Sequence, residues 1–150
     1  MSELATGLRS AIAASKVVAK ELEPAAADTL RKALAKKFAR PKAAWPLWEH
    51  ALGDESVQDP EAWRRIPGFV RNKRTVLLFN PDEEKAAFEF EDGNDAMVVL
   101  NEVPRVEFYL ADPAEQFLLC FNHHDCLVGW GSAAGYVSQS GKRGHLKPVE

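Results

Sequence analysis

The chain has 150 residues, 46% of them hydrophobic and 27% charged, with a formal net charge of −3. That length and balance fit one soluble domain with a real core. They speak against nucleic-acid binding by overall positive charge, and no apolar run reaches the ~18 residues that a membrane span needs.

The first segment, MSELATGLRSAIAASKVVAK, does not read as a secretory signal, because Glu3 is acidic and Arg9 and Lys16 interrupt any apolar core. A cytoplasmic location is expected. Leu4, Leu8 and Ile12 recur every four residues, and Val17, Val18 and Leu22 continue roughly in phase. That spacing predicts an amphipathic helix ending near Pro24. Leu30, Leu34 and Phe38 repeat the pattern in DTLRKALAKKFAR, a second helix with a basic face that stops before Pro41. PLWEHAL predicts a short third helix, with Pro46 in its first turn and a stop at Gly53. Asp59-Pro60-Glu61 then opens a helix anchored by Trp63, Ile66 and Phe69.

From Thr75 the period changes. TVLLF, AAFEF, VEFYL, FLLCF and CLVGW read as strands, with a short helix after EDGN in which Asn94 is the candidate N-cap. The expected architecture is α+β: N-terminal helices packed on a mainly antiparallel sheet of about five strands. The expected organisation is a single domain over 1–138 and a flexible tail over 139–150, where no apolar pattern remains.

Charge is strongly segregated. Residues 1–40 carry eight basic and four acidic side chains, whereas 81–125 carry two basic and twelve acidic. An acidic surface of this kind steers a basic macromolecular partner and repels phosphate. The plainer account is solvation and protection of sheet edges. Candidate partner contacts are Glu89, Glu91, Asp92, Glu107, Asp112, His123, His124 and Trp130, the last expected near a strand end and partly exposed. Trp45, Trp48 and Trp63 are expected as core anchors.

FLLCFNHHDCLVGWG, over 117–131, places two histidines and an aspartate between two strands. As a metal site, His123, His124 and Asp125 form an alternative ligand set, but adjacent residues in a tight turn converge poorly on one ion. HExxH and CxxC are absent, and so is a GxSxG elbow to supply a nucleophile. No catalytic residue and no cofactor are assigned. The structural reading is that Asn122 and Asp125 bond the turn backbone. With a four-residue loop over 122–125, Cys120 and Cys126 would lie on opposite sheet faces, whereas an odd-length loop would reverse this. GWGSAAG lacks the GxGxxG spacing, and its glycines are read as ending a strand.

The pattern Glu107-Phe108-Tyr109-Leu110, then FLLCFNHHD, then Leu127 and Gly129 to Gly131, resembles small α+β bacterial proteins, some of them of the toxin-immunity type. The resemblance spans about residues 75–137. It implies a cytoplasmic, non-catalytic module that binds and neutralises a basic toxin domain. The alternative is a metal-binding domain or metal-assisted enzyme centred on the His123-His124-Asp125 turn.

Overall fold

The computed structural model describes residues 3–41 and 44–146. They form five α-helices and seven strands in one antiparallel sheet. In chain order these are α1 (Glu3–Ser15), β1 (Ala19–Glu21), α2 (Pro24–Phe38), a 3-10 turn (Leu47–His50), β2 (Glu55–Gln58) and a second 3-10 turn (Ala62–Arg65). There follow α3 (Ile66–Val70), β3 (Thr75–Leu78), β4 (Phe88–Phe90), α4 (Gly93–Leu100), β5 (Phe108–Ala111), β6 (Phe117–Phe121), β7 (Cys126–Gly131) and α5 (Ser132–Leu146). No described helix is long and apolar enough to cross a membrane.

The strand order is β1-β4-β3-β5-β6-β7-β2. Every residue of β3, β5 and β6 is buried. These strands read as unbroken apolar runs because helices cover both faces of the sheet. On one face Leu77, Phe88, Leu110, Leu119 and Leu127 meet α1, α3, α4 and α5 through Leu8, Phe69, Met97 and Val137. On the other face Val76, Leu78, Tyr109, Leu118, Cys120 and Trp130 meet α2 through Leu30, Leu34 and Phe38.

The sheet has seven strands where about five were expected. The five expected strands are the central ones, and the two additions are its edges. β1 (AKE) and β2 (ESVQ) are short and mostly exposed, so neither carries an apolar signature. Polar, charged edges also discourage pairing with another chain.

The first helix is shorter than its periodicity implied. It stops at Ser15, and Lys16 takes a left-handed φ of 58°. Val17 and Val18 then lead into β1, where Ala19 pairs with Phe90. β-Branched residues favour this extended path once a partner strand is at hand. Pro24, expected to end that helix, instead starts α2 as a first-turn proline. The N-cap of α4 is Asp92, whose side chain accepts from the Asn94 N–H, and not Asn94 itself. At the C-terminus α5 runs to Leu146, into the stretch expected as a tail, and 147–150 lie outside the described residues.

Candidate functional site: the β6–β7 turn

Phe121 pairs with Leu127, and the Asn122 N–H donates to the Cys126 carbonyl at 3.0 Å. The turn itself is therefore His123-His124-Asp125, three residues long. The Asp125 N–H closes it on the Asn122 carbonyl at 3.1 Å, and Asp125 takes the left-handed conformation, φ 61°. This is the usual three-residue hairpin of a type I turn plus one left-handed residue, with aspartate in the place that glycine often fills. Asn122 is buried, and its side-chain oxygen accepts from the N–H groups of His124 (2.9 Å) and Cys126 (3.1 Å).

An odd loop places both cysteines on the α2 face, not on opposite faces. Both are free thiols. Burial pushes the pKa of each up, and more so for the enclosed Cys120. Thiolate, the reactive form, is therefore scarce at neutral pH.

Beside the turn, Glu107 precedes β5 and shares the α2 face with Tyr109. Its side chain is only 7% exposed. One carboxylate oxygen accepts the His123 backbone N–H at 3.1 Å and contacts His123 Nδ1 at 2.8 Å. The other accepts Trp48 Nε1–H at 3.0 Å. A carboxylate only accepts, so this contact favours the His123 tautomer that carries its proton on Nδ1. The two imidazoles lie 4.1 Å apart between centroids, and Trp48 meets both edge-on at 5.6 and 5.4 Å. Neighbours pin the rest of the turn. The Asp59 N–H donates to the Asp125 carbonyl at 2.9 Å, and the Asp125 carboxylate is taken by Arg105. The product is a patch of two exposed imidazoles and one half-buried indole gathered on the buried Glu107 carboxylate.

The eight residues expected to contact a partner do not share one surface. Glu107, His123 and His124 gather at one end of the sheet. Glu89, Glu91, Asp92 and Asp112 lie toward the other, about 17 Å away along β5. Several of the acids have structural duties. Glu89 pairs with Arg74 at 2.8 Å. Asp92 caps α4 and also accepts the Asn72 N–H at 2.9 Å. Asp112 accepts from Ala114 and Gln116 N–H groups in the β5–β6 turn. Buried Glu84 accepts the Ala5 N–H at the start of α1, 3.1 Å, and the Ala86 N–H, 2.8 Å. Glu91 remains exposed.

Trp130 is a correction. It is 0% exposed and packs with Phe38 at 6.5 Å in the α2-side core, so it cannot touch a partner. The β6–β7 register directs it inward, on the same face as Val128 and Leu118. Trp45, Trp48 and Trp63, expected as core anchors, are each half-buried and packed against the core, and Trp48 also lies beside the turn. Nothing local marked it, because its partner Glu107 is 59 residues distant in sequence. For the alternative ligand set, Asp125 turns to Arg105 and Glu107 takes up His123 Nδ1. Among the described residues, no group of three or more His, Cys, Asp and Glu side chains is arranged to hold a metal ion.

Glu107→Ala should lower stability by about 2 kcal/mol, since it strips an indole N–H and a backbone N–H of a charged acceptor. Glu107→Gln keeps an acceptor and should recover about half of that. Urea unfolding curves measure both, and equal midpoints for wild type and Glu107→Ala would show that the brace carries no energy.

Fold and site together define an α+β protein with a helix-covered seven-stranded antiparallel sheet and a braced imidazole–indole turn at one end. Compared with family models, curated proteins and solved structures, the chain finds no match.

Proposed function

We propose that the chain is a non-catalytic protein-binding module whose contact surface is centred on His123, His124 and Trp48. The observation that carries the reading is the bracing of two exposed imidazoles by Trp48 and by the buried Glu107 carboxylate. A patch held this firmly loses little side-chain freedom on binding, and tryptophan is among the residues that dominate interface energies.

The finer reading is an immunity-type inhibitor of a basic toxin domain, acting in the cytoplasm. It rests on the residue pattern of the C-terminal half and on the excess of acids over 81–125. At the turn the nearest carboxylates, Glu107 and Asp125, are already bonded within the chain. Attraction to a basic partner would therefore act mainly at long range. It would raise the association rate and weaken with salt, more than it would add contacts.

The test begins with a photo-crosslinking residue at His124 in producing cells, followed by binding measurements on the captured partner after purification. His123→Ala and Trp48→Ala should each weaken its affinity by about 30-fold, which corresponds to about 2 kcal/mol. The association rate should fall with added salt. Unchanged affinity in both variants would remove the turn as the contact surface. A partner with no net positive charge would remove the toxin-inhibitor reading alone.

A further inference from the structure

On the opposite side of the sheet from Trp48, we propose a binding site for a small apolar carboxylate, in the cavity between α4 and the loop over 101–107. The cavity has a volume of about 250 Å³. That is just below the usual range of ligand pockets and suits only a small ligand, of about ten non-hydrogen atoms. Its walls are Trp63, Met97, Leu100, Val106 and Phe121, and the one cationic side chain at its edge is Arg105.

The Arg105 guanidinium stands 5.4 Å from the centroid of the Phe121 ring, and its side chain is 64% exposed. It therefore sits at the mouth, its guanidinium over the Phe121 ring of the cavity wall and bonded on one side to Asp125. Asp125 engages its Nη2, leaving Nε and Nη1 to receive a second anion. An apolar chain entering the cavity would bring its carboxylate to these two donors.

Two other hollows set the contrast. One, of about 260 Å³, shares Val103, Arg105 and Val106 but is walled by Glu3, which repels a carboxylate. The other, of about 440 Å³ beside α2, is rimmed by Glu89 and Glu115. Among these three, only the cavity under Trp63 has an apolar interior, a cationic side chain and no carboxylate among its lining residues, the Asp125 carboxylate being paired with Arg105 from outside that lining.

The experiment is calorimetric titration of the full chain with octanoate and phenylbutyrate, each against its neutral alcohol. At least one acid should bind one-to-one, with a Kd below about 1 mM. Arg105→Gln, which removes the charge at a largely exposed side chain, should weaken it by about tenfold in protein whose urea unfolding midpoint matches wild type. Asp125→Asn keeps a residue that tolerates the left-handed turn position, removes the competing carboxylate and should tighten binding by about threefold. The alcohols should bind more weakly than the acids and should not respond to Arg105→Gln. Absence of binding by both acids would overturn the proposal. So would equal binding of the alcohols, which would point to an uncharged apolar occupant such as a partner side chain. Indifference of the acids to Arg105→Gln would overturn it as well. The cavity is lined by none of Trp48, Glu107, His123 and His124, so its failure would leave the turn reading standing.

Discussion

Gly131→Ala should destabilise the fold by about 3 kcal/mol, while Gly135→Ala, four residues on, should stabilise it by about 0.5 kcal/mol. Gly131 ends β7 at a φ of 64°, which an L-residue adopts at a cost of about 1 kcal/mol. A Cβ there would also stand 2.3 Å from the Gln116 carbonyl oxygen. That oxygen accepts the Ser132 N–H at 2.9 Å and so seats the first residue of α5. The obstacle is backbone, which can yield only by shifting the helix off the sheet, and this strain supplies the remaining ~2 kcal/mol. At Gly135 an added Cβ meets nothing within 4 Å, and only the helix-forming advantage of alanine operates. Thermal and urea unfolding of the two variants would measure the contrast. A Gly131→Ala protein within about 0.5 kcal/mol of wild type would mean that the β7–α5 junction is looser than described.

Trp130→Ala should cost about 3–5 kcal/mol, the range for a large aromatic side chain removed from a packed core. Trp130→Phe should cost no more than about 1.5 kcal/mol, because two effects oppose each other. Phenylalanine leaves a small void against Phe38 and the α2 face. It also removes an indole N–H that is buried without a hydrogen-bond partner among the described residues. If Trp130→Phe proves as damaging as Trp130→Ala, the indole N–H has a partner that matters, and the α2-side core is organised around it. In neither variant should affinity for a partner change once the protein is folded, because Trp130 has no exposed surface.

The contrast between Trp130 and Trp48 shows how far local pattern reaches. Both lie beside short apolar runs, and their surroundings in sequence do not separate the half-buried one from the fully buried one. Burial of Trp130 follows from the strand register, which places it on the face that α2 covers. Trp48 sits half-buried at the rim of the same face, where its indole N–H donates to Glu107. The loop length between β6 and β7 was equally undecided by composition. Four polar residues over 122–125 fit either an even or an odd loop, and the choice moves Cys126 from one face to the other. Asn122 resolves it by bonding back across the pair to Cys126, which leaves three residues in the turn.

The acids over 81–125 were legible as an excess but not as a surface. Asp92 and Asp112 bond N–H groups close by in sequence, at helix and turn positions where a carboxylate accepts readily. Glu84 and Glu107 bond groups brought to them by the fold, at the start of α1 and on Trp48.

What the amino-acid sequence determined by itself is the α+β class, the helix before the sheet, and the five central strands. Three of them, β3, β5 and β6, are buried on both faces and so keep a largely unbroken apolar run, while β4 alternates around Glu89 and β7 carries an apolar stretch between its ends. What only the tertiary structure decided is the pair of edge strands, the turn register and the Trp48–Glu107–His123 cluster. Edge strands are held by backbone hydrogen bonds to a neighbour, and backbone carries no side-chain signature. The cluster joins residues drawn together from three parts of the chain, and it exists only once the sheet has brought them to the same end.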